Sequence, residues 1–224
     1  MLPKPDELTV VTSWTNGHKA VVHLVENRTG EKLILKAYRP GFTSAMFREY
    51  VATRYVARKL SVVPRVLGFR PWRKELYFSY ISGQRVLEWV LQRFGDNVTL
   101  SEFQSFHGLN PPDYVDPHVA EAFARFRQSM SEEARRLKEA IRTSYSCLHR
   151  IGILHGSADP RNVIYDQDRV FIIDFDHARP SFNPEKLDYK SLTYWYGCRP
   201  SCNGFAERQN DRPPALPRAH DIRQ

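Results

Sequence analysis

The sequence predicts an α+β fold: strand-like runs gathered at the start, one amphipathic helix among them, and a mainly helical remainder. Three observations carry this. LTVV, AVVHLV and EKLILKAY, all within the first forty residues, are rich in β-branched residues, and Gly30 in ENRTGE marks a hairpin between the last two. SAMFREYVATRYVARKL follows, with Phe47, Val51 and Tyr55 four residues apart and Ser44 as candidate N-cap. After Pro64 come two more strand-like runs, RVLGF and ELYFSYI, separated by a basic turn at Pro71. Together these make a five-stranded sheet with one helix.

The character changes after Ser82-Gly83, which sets the expected division into 1–82, 83–197 and a tail at 198–224. RVLEWVLQRF reads as a short amphipathic helix, and a polar loop with Pro111 and Pro112 follows. A long helical stretch is expected from about Pro117 to Arg150, with Leu137, Ile141, Tyr145 and Leu148 as its apolar stripe. The last stretch is proline-rich and poor in apolar residues, so it reads as mostly disordered. No internal repeat is visible.

Composition excludes several classes. The chain has 224 residues, 42% of them hydrophobic, enough for one domain or two small lobes around a cleft and too many for disorder throughout. No signal-peptide h-region or membrane-spanning apolar run is present, and three cysteines are too few for a disulfide scaffold. A reducing compartment is expected, cytoplasmic or nuclear, with no membrane partner. The net charge is +8, and six of the basic residues lie between residues 120 and 142, interleaved with Glu121, Glu132, Glu133 and Glu139. A solvated helix face is the plain explanation, and a protein partner, an acidic ligand or nucleic acid on that helix are the alternatives. Cys198 and Cys202 have a spacing allowed in zinc sites, with His220 beyond, but no clear fourth ligand completes a set.

The most informative stretch is His155-Gly-Ser-Ala-Asp-Pro-Arg-Asn162, followed by Asp174-Phe175-Asp176. A loop, a short hairpin and a second loop bring Asn162 and Asp174 to one sheet edge. An amide oxygen and a carboxylate converging there make a hard-oxygen site suited to Mg²⁺, with water and phosphate completing the shell.

These two segments resemble the catalytic and metal-binding loops of protein-kinase-like phosphotransferases. The His-Gly opening and Phe-Asp ending are most similar to atypical members: RIO-type, Kdo kinase-like, and aminoglycoside or choline phosphotransferase-like enzymes. The resemblance extends over about residues 8–180. It implies a two-lobed fold with ATP and Mg²⁺ in the cleft. It also implies that Lys36 in LILK contacts phosphate, that Glu49 in the following helix pairs with Lys36, and that Asn162 and Asp174 hold metal. Phe78, Tyr80 and Ile81 in LYFSYISG would hold adenine through the backbone, and His155 would brace the loop.

The departures from the family pattern are as telling. The segment Ser13 to Ala20, which should be glycine-rich, has Gly17 alone. No Ala-Pro-Glu element follows Asp176. Above all, Ser157 stands where the family has the aspartate that orients the acceptor hydroxyl and takes its proton, and a serine hydroxyl is a poor base. Asp159 is the nearest replacement. Three readings follow: a pseudokinase that binds nucleotide or a protein partner, an active phosphotransferase using Asp159 or positioning alone, and a nucleic-acid-associated module.

Overall fold

The computed structural model describes residues 7–15, 17–95 and 116–198. The expected loop at Pro111-Pro112 lies outside these residues, as does the expected tail apart from Cys198, which is buried in the fold.

An antiparallel sheet comes first, built from β1 (Leu8–Trp14), β2 (Ala20–Asn27), β3 (Lys32–Tyr38), β4 (Val66–Arg70) and β5 (Glu75–Ser79) in the order β1-β2-β3-β5-β4. Together with five helices among the described residues, it makes the fold α+β. In the central strand β3, Lys36 pairs with Val22 on one side and Leu76 on the other. Hydrogen bonding on both flanks makes this strand a stiff carrier for a functional side chain.

Helix α1 (Thr43–Ala57) joins β3 to β4 and differs from expectation in two ways. It begins one residue before Ser44, its N-cap is Phe42, and no side chain caps it. Gly41, at φ 88°, has already turned the chain into the helix. The inward face is also not the Phe47/Val51/Tyr55 stripe, which is half-buried, but Ala45, Met46, Glu49, Ala52, Thr53 and Val56. The small Ala45 and Ala52 let the helix approach closely, which brings Glu49 inward. Phe47 and Tyr50 pack instead against Phe69 of β4, with centroids 5.0 and 4.3 Å away.

Beyond the sheet, α2 (Val86–Phe94) is followed by α3 (Pro117–Gln128) and α4 (Glu132–Arg150). The helical stretch expected from about Pro117 to Arg150 is thus made of two helices. Ser129 is extended, and Ser131 caps α4 by accepting from the Ala134 amide at 3.3 Å. Glu132 and Glu133 lie in the first turn of α4, where acidic groups favour a helix start. The Leu137, Ile141, Tyr145 and Leu148 stripe is completely buried, as its spacing predicts.

Short strands then carry the loops. Strand β6 (Gln84–Arg85), β8 (Val163–Asp166) and β9 (Arg169–Ile172) form one small sheet, and β7 (Ile153–Leu154) pairs with β10 (Arg179–Pro180). Helix α5 (Pro184–Tyr196) closes the described chain.

Buried apolar residues fall into two clusters. The larger joins α2, α3, α4, α5 and the loops to Ala52 and Val56 of α1, and the smaller lies between α1 and the sheet around Met46, Leu76 and Phe78. Among the described residues, no helix is long and apolar enough to cross a membrane.

Candidate functional site

Alternation along β3 puts Lys36 and Tyr38 on the same face, and the inward turn of α1 sets Glu49 against them. Lys36 Nζ donates to both Glu49 carboxylate oxygens, at 2.9 and 2.7 Å, and to Asp174 Oδ1 at 2.6 Å. Its three ammonium hydrogens are thereby matched to three carboxylate oxygens from two separate segments. Tyr38 donates its hydroxyl to Glu49 Oε2 as well.

Burial opposes the charge on Lys36, yet the Asp174 and Glu49 carboxylates hold its ammonium well above the ordinary lysine range. Burial likewise resists ionisation of Asp174, but the Lys36 ammonium outweighs it and holds the carboxyl below its usual value. Burial raises Glu49 despite the same ammonium, and it raises Tyr38 so that the phenol keeps its proton.

Asp174 sits in a left-handed backbone conformation at φ 66°, which is uncommon for a residue with a side chain. Two contacts hold the segment there. The Ile173 amide donates to the Asn162 carbonyl at 2.9 Å, joining the two loops one residue before Asp174. His155 Nε2 donates to the Ile173 carbonyl at 3.0 Å, and its ring meets Phe175 edge-on at 4.8 Å. His155 is completely buried, and burial lowers its pKa. A neutral ring held this way braces the loop and carries no proton to the site.

Ser157 is half-buried, and its Oγ accepts from Asn162 Nδ2 at 3.0 Å, while the same amide donates to the Ser157 carbonyl at 3.2 Å. Those bonds turn the amide oxygen of Asn162 away from Ser157. Asp159 is buried and clamped: Arg161 donates to it from Nε at 2.7 Å and from Nη2 at 2.8 Å, and the Arg161 amide adds a third bond. It is therefore not a spare base. Asp176 is buried too, with Lys19 on its Oδ2 and Arg48 donating to its carbonyl at 3.0 Å. Asp174, whose side chain is 39% exposed, is the better placed of the two for a metal ion.

The remaining sequence-predicted positions are scattered around this centre. Gly17 sits in the β1–β2 turn where a Cβ would meet the Ala20 carbonyl oxygen at 2.4 Å, so the close approach requires glycine. Arg39 fastens that turn through the Thr15 carbonyl at 3.0 Å and the Gly17 carbonyl at 3.3 Å. Phe78 is buried in β5, whereas Tyr80 and Ile81 lie beyond its end and Tyr80 is exposed.

Sequence reasoning missed Asp188 in α5. This buried carboxylate accepts from His149 Nε2 at 2.9 Å and from the amides of His155 and Gly156 at 3.1 and 3.0 Å. It anchors the start of the Ser157 loop. Tyr38, Arg161 and Arg39 were also missed, since each reads in the sequence as an ordinary strand or turn residue.

Two further expectations can be set against geometry. The helix arginines are largely paired within their own surface: Arg125 with Glu121, Arg135 and Arg136 with Glu132, and Arg142 with Glu139. This is the pattern of a solvated face. Cys198 donates its thiol to the Lys138 carbonyl at 3.3 Å, and burial pushes its pKa up to about 11, which disfavours the thiolate a zinc site needs. Cys202 and His220 lie outside the described residues. Among the described residues, no three His, Cys, Asp or Glu side chains gather as a metal cluster.

No protein-family model matches this chain, and no curated protein matches it.

Proposed function

We propose that this chain is a two-lobed, kinase-like domain that binds ATP with Mg²⁺ and, lacking the loop carboxylate, transfers phosphate poorly or not at all. The observation that carries the reading is Lys36 Nζ bonded at once to Glu49 and Asp174. A lysine on a central strand, a glutamate on the following helix and an aspartate on a distant loop are the parts that phosphoryl-transfer sites bring together.

The chemistry follows from what each group can exchange. Asp174 and the amide oxygen of Asn162 are the groups that would hold Mg²⁺, one carboxylate and one neutral oxygen. A bound magnesium ion would neutralise phosphate charge. Lys36 is then free to give up Asp174 and take a phosphate oxygen, while Glu49 keeps hold of it. Ser157 presents a neutral hydroxyl where a base is needed, and Asp159 is engaged by Arg161. Binding is supported, while activation of an acceptor hydroxyl is not. The pairing of helix arginines with glutamates leaves the nucleic-acid alternative with less support.

Thermal denaturation with and without millimolar Mg·ATP tests the binding, because a ligand of the native state raises its melting temperature. We expect a shift for the natural chain and none for Lys36→Ala or Asp174→Ala. No shift and no calorimetric heat for the natural chain would overturn the proposal. Ser157→Asp is expected to raise ATP turnover by about 10²–10⁴-fold, the usual contribution of a positioned base. High turnover by the unaltered chain would show that another group already acts.

A further inference from the structure

Tyr38 is a buried phenol that nothing in the proposed chemistry uses. It lies two residues after Lys36, and its side chain shares the face from which Lys36 reaches Glu49. Its backbone is fixed on both sides, opposite Ala20 in β2 and through a 2.8 Å bond from its amide to the Lys74 carbonyl. From that seat the hydroxyl donates to Glu49 Oε2, and the ring lies 5.7 Å from Lys36 Nζ, within cation–π range. Glu49 is therefore held by a partner that does not change when Lys36 does.

We propose that Tyr38 is a positioning residue: it fixes Glu49, and through it Lys36, in the paired geometry before any ligand arrives. The need arises from the site's own bookkeeping of donors. All three hydrogens of Lys36 are committed, so accepting a phosphate means releasing Asp174. During that exchange Glu49 would be buried with a moving partner, at 2% exposure. A second, immobile donor keeps the carboxylate satisfied and α1 in place. The pairing then needs no outside event to form. The inference rests on the nucleotide-binding reading for its purpose, but not for its geometry.

The test uses the full chain and Tyr38→Phe, which removes one oxygen and keeps the ring. Lysine acylation by N-hydroxysuccinimidyl acetate, read peptide by peptide in the absence of nucleotide, should rise at Lys36 by about three- to tenfold, what one net hydrogen bond supports. Other lysines should be unchanged. In a Glu49→Ala background, where Tyr38 has no acceptor left, the same substitution should add nothing, since Tyr38 acts through Glu49. The dissociation constant for Mg·ATP should rise by the same factor. Unchanged Lys36 labelling, a uniform rise at all lysines, or an additive effect with Glu49→Ala would each overturn the proposal, the last two marking a merely structural tyrosine. Should the natural chain bind no Mg·ATP, the nucleotide reading fails, and the labelling still decides the role of Tyr38.

Discussion

Lys36 and His155 both stand in the interior near Asp174, yet their partners differ in kind. Lys36 is satisfied by side chains, the carboxylates of Glu49 and Asp174. His155 is held by backbone, its Nε2 donating to the carbonyl of Ile173, and the chain around it is tied by Asp188, which accepts from the amides of His155 and Gly156. Side chains can trade partners by rotating, whereas a backbone bond is surrendered only when the loop itself moves. The sheet region thus holds charge in exchangeable form, and the helical region holds geometry in fixed form. The two apolar clusters match this division, since the small one lies under the exchanging residues and the large one under the fixed loops.

The sharpest way to break the comparison is to remove the fixed anchor. Asp188→Asn turns one oxygen of a buried carboxylate that accepts three bonds into a donor, and the expected loss is about 2–5 kcal/mol, at about 1–3 kcal/mol for each buried donor left without its partner. Chemical denaturation would read it as a lower midpoint. A loss below about 1 kcal/mol would mean the loop start holds itself.

Glu49→Gln is expected to do less to the fold, about 1–2 kcal/mol, because Lys36 keeps Asp174 and the amide can still accept from Tyr38. Its main consequence should be on ligand binding. Equal losses for Asp188→Asn and Glu49→Gln would erase the distinction between fixed and exchangeable partners.

The third effect is a slope with pH. Burial depresses the pKa of His155 below that of an unfolded histidine, near 6.5. Below that value the unfolded chain takes up a proton the native chain refuses, so stability falls as pH drops and recovers above about 6.5. The contribution is at most about 1.4 kcal/mol per pH unit. The natural chain should lose more stability between pH 7.5 and 5.5 than His155→Gln, which keeps a donor for Ile173. Parallel curves would show that the ring takes up its proton as readily in the fold as in the unfolded chain.

Much of this was legible in the sequence. The β-branched runs announced the sheet, the helical spacing in α4 named its buried stripe, and Lys36 pairs with Glu49 as the family resemblance implied, while its bond to Asp174 was not expected. What escaped did so for physical reasons. The inward face of α1 contains a glutamate and two alanines, so hydrophobic periodicity pointed one position away, to Phe47 and Tyr55. The break at Ser129–Ser131 lacks proline or glycine and depends on a capping hydroxyl. Asp188 lies far along the chain from the amides it binds, and only the fold of α5 against β7 brings them together. The clamp of Arg161 on Asp159 is local, but it separates a candidate base from a structural ion pair through side-chain direction, which residue identity does not report.

One consequence concerns β1. Six of its seven residues are exposed, and among the described residues strand order places it at the sheet margin, paired with β2 alone. Amide exchange should therefore run fastest in β1 and slowest in β3, which is laddered on both sides. The turn bearing Gly17 and Lys19 joins β1 to β2 and is fastened by Arg39, just past β3, so the margin can open in β1 only as far as that tie allows. The strand that carries Lys36 need not yield at all. Ease of opening and rigidity thus belong to different strands of a single sheet.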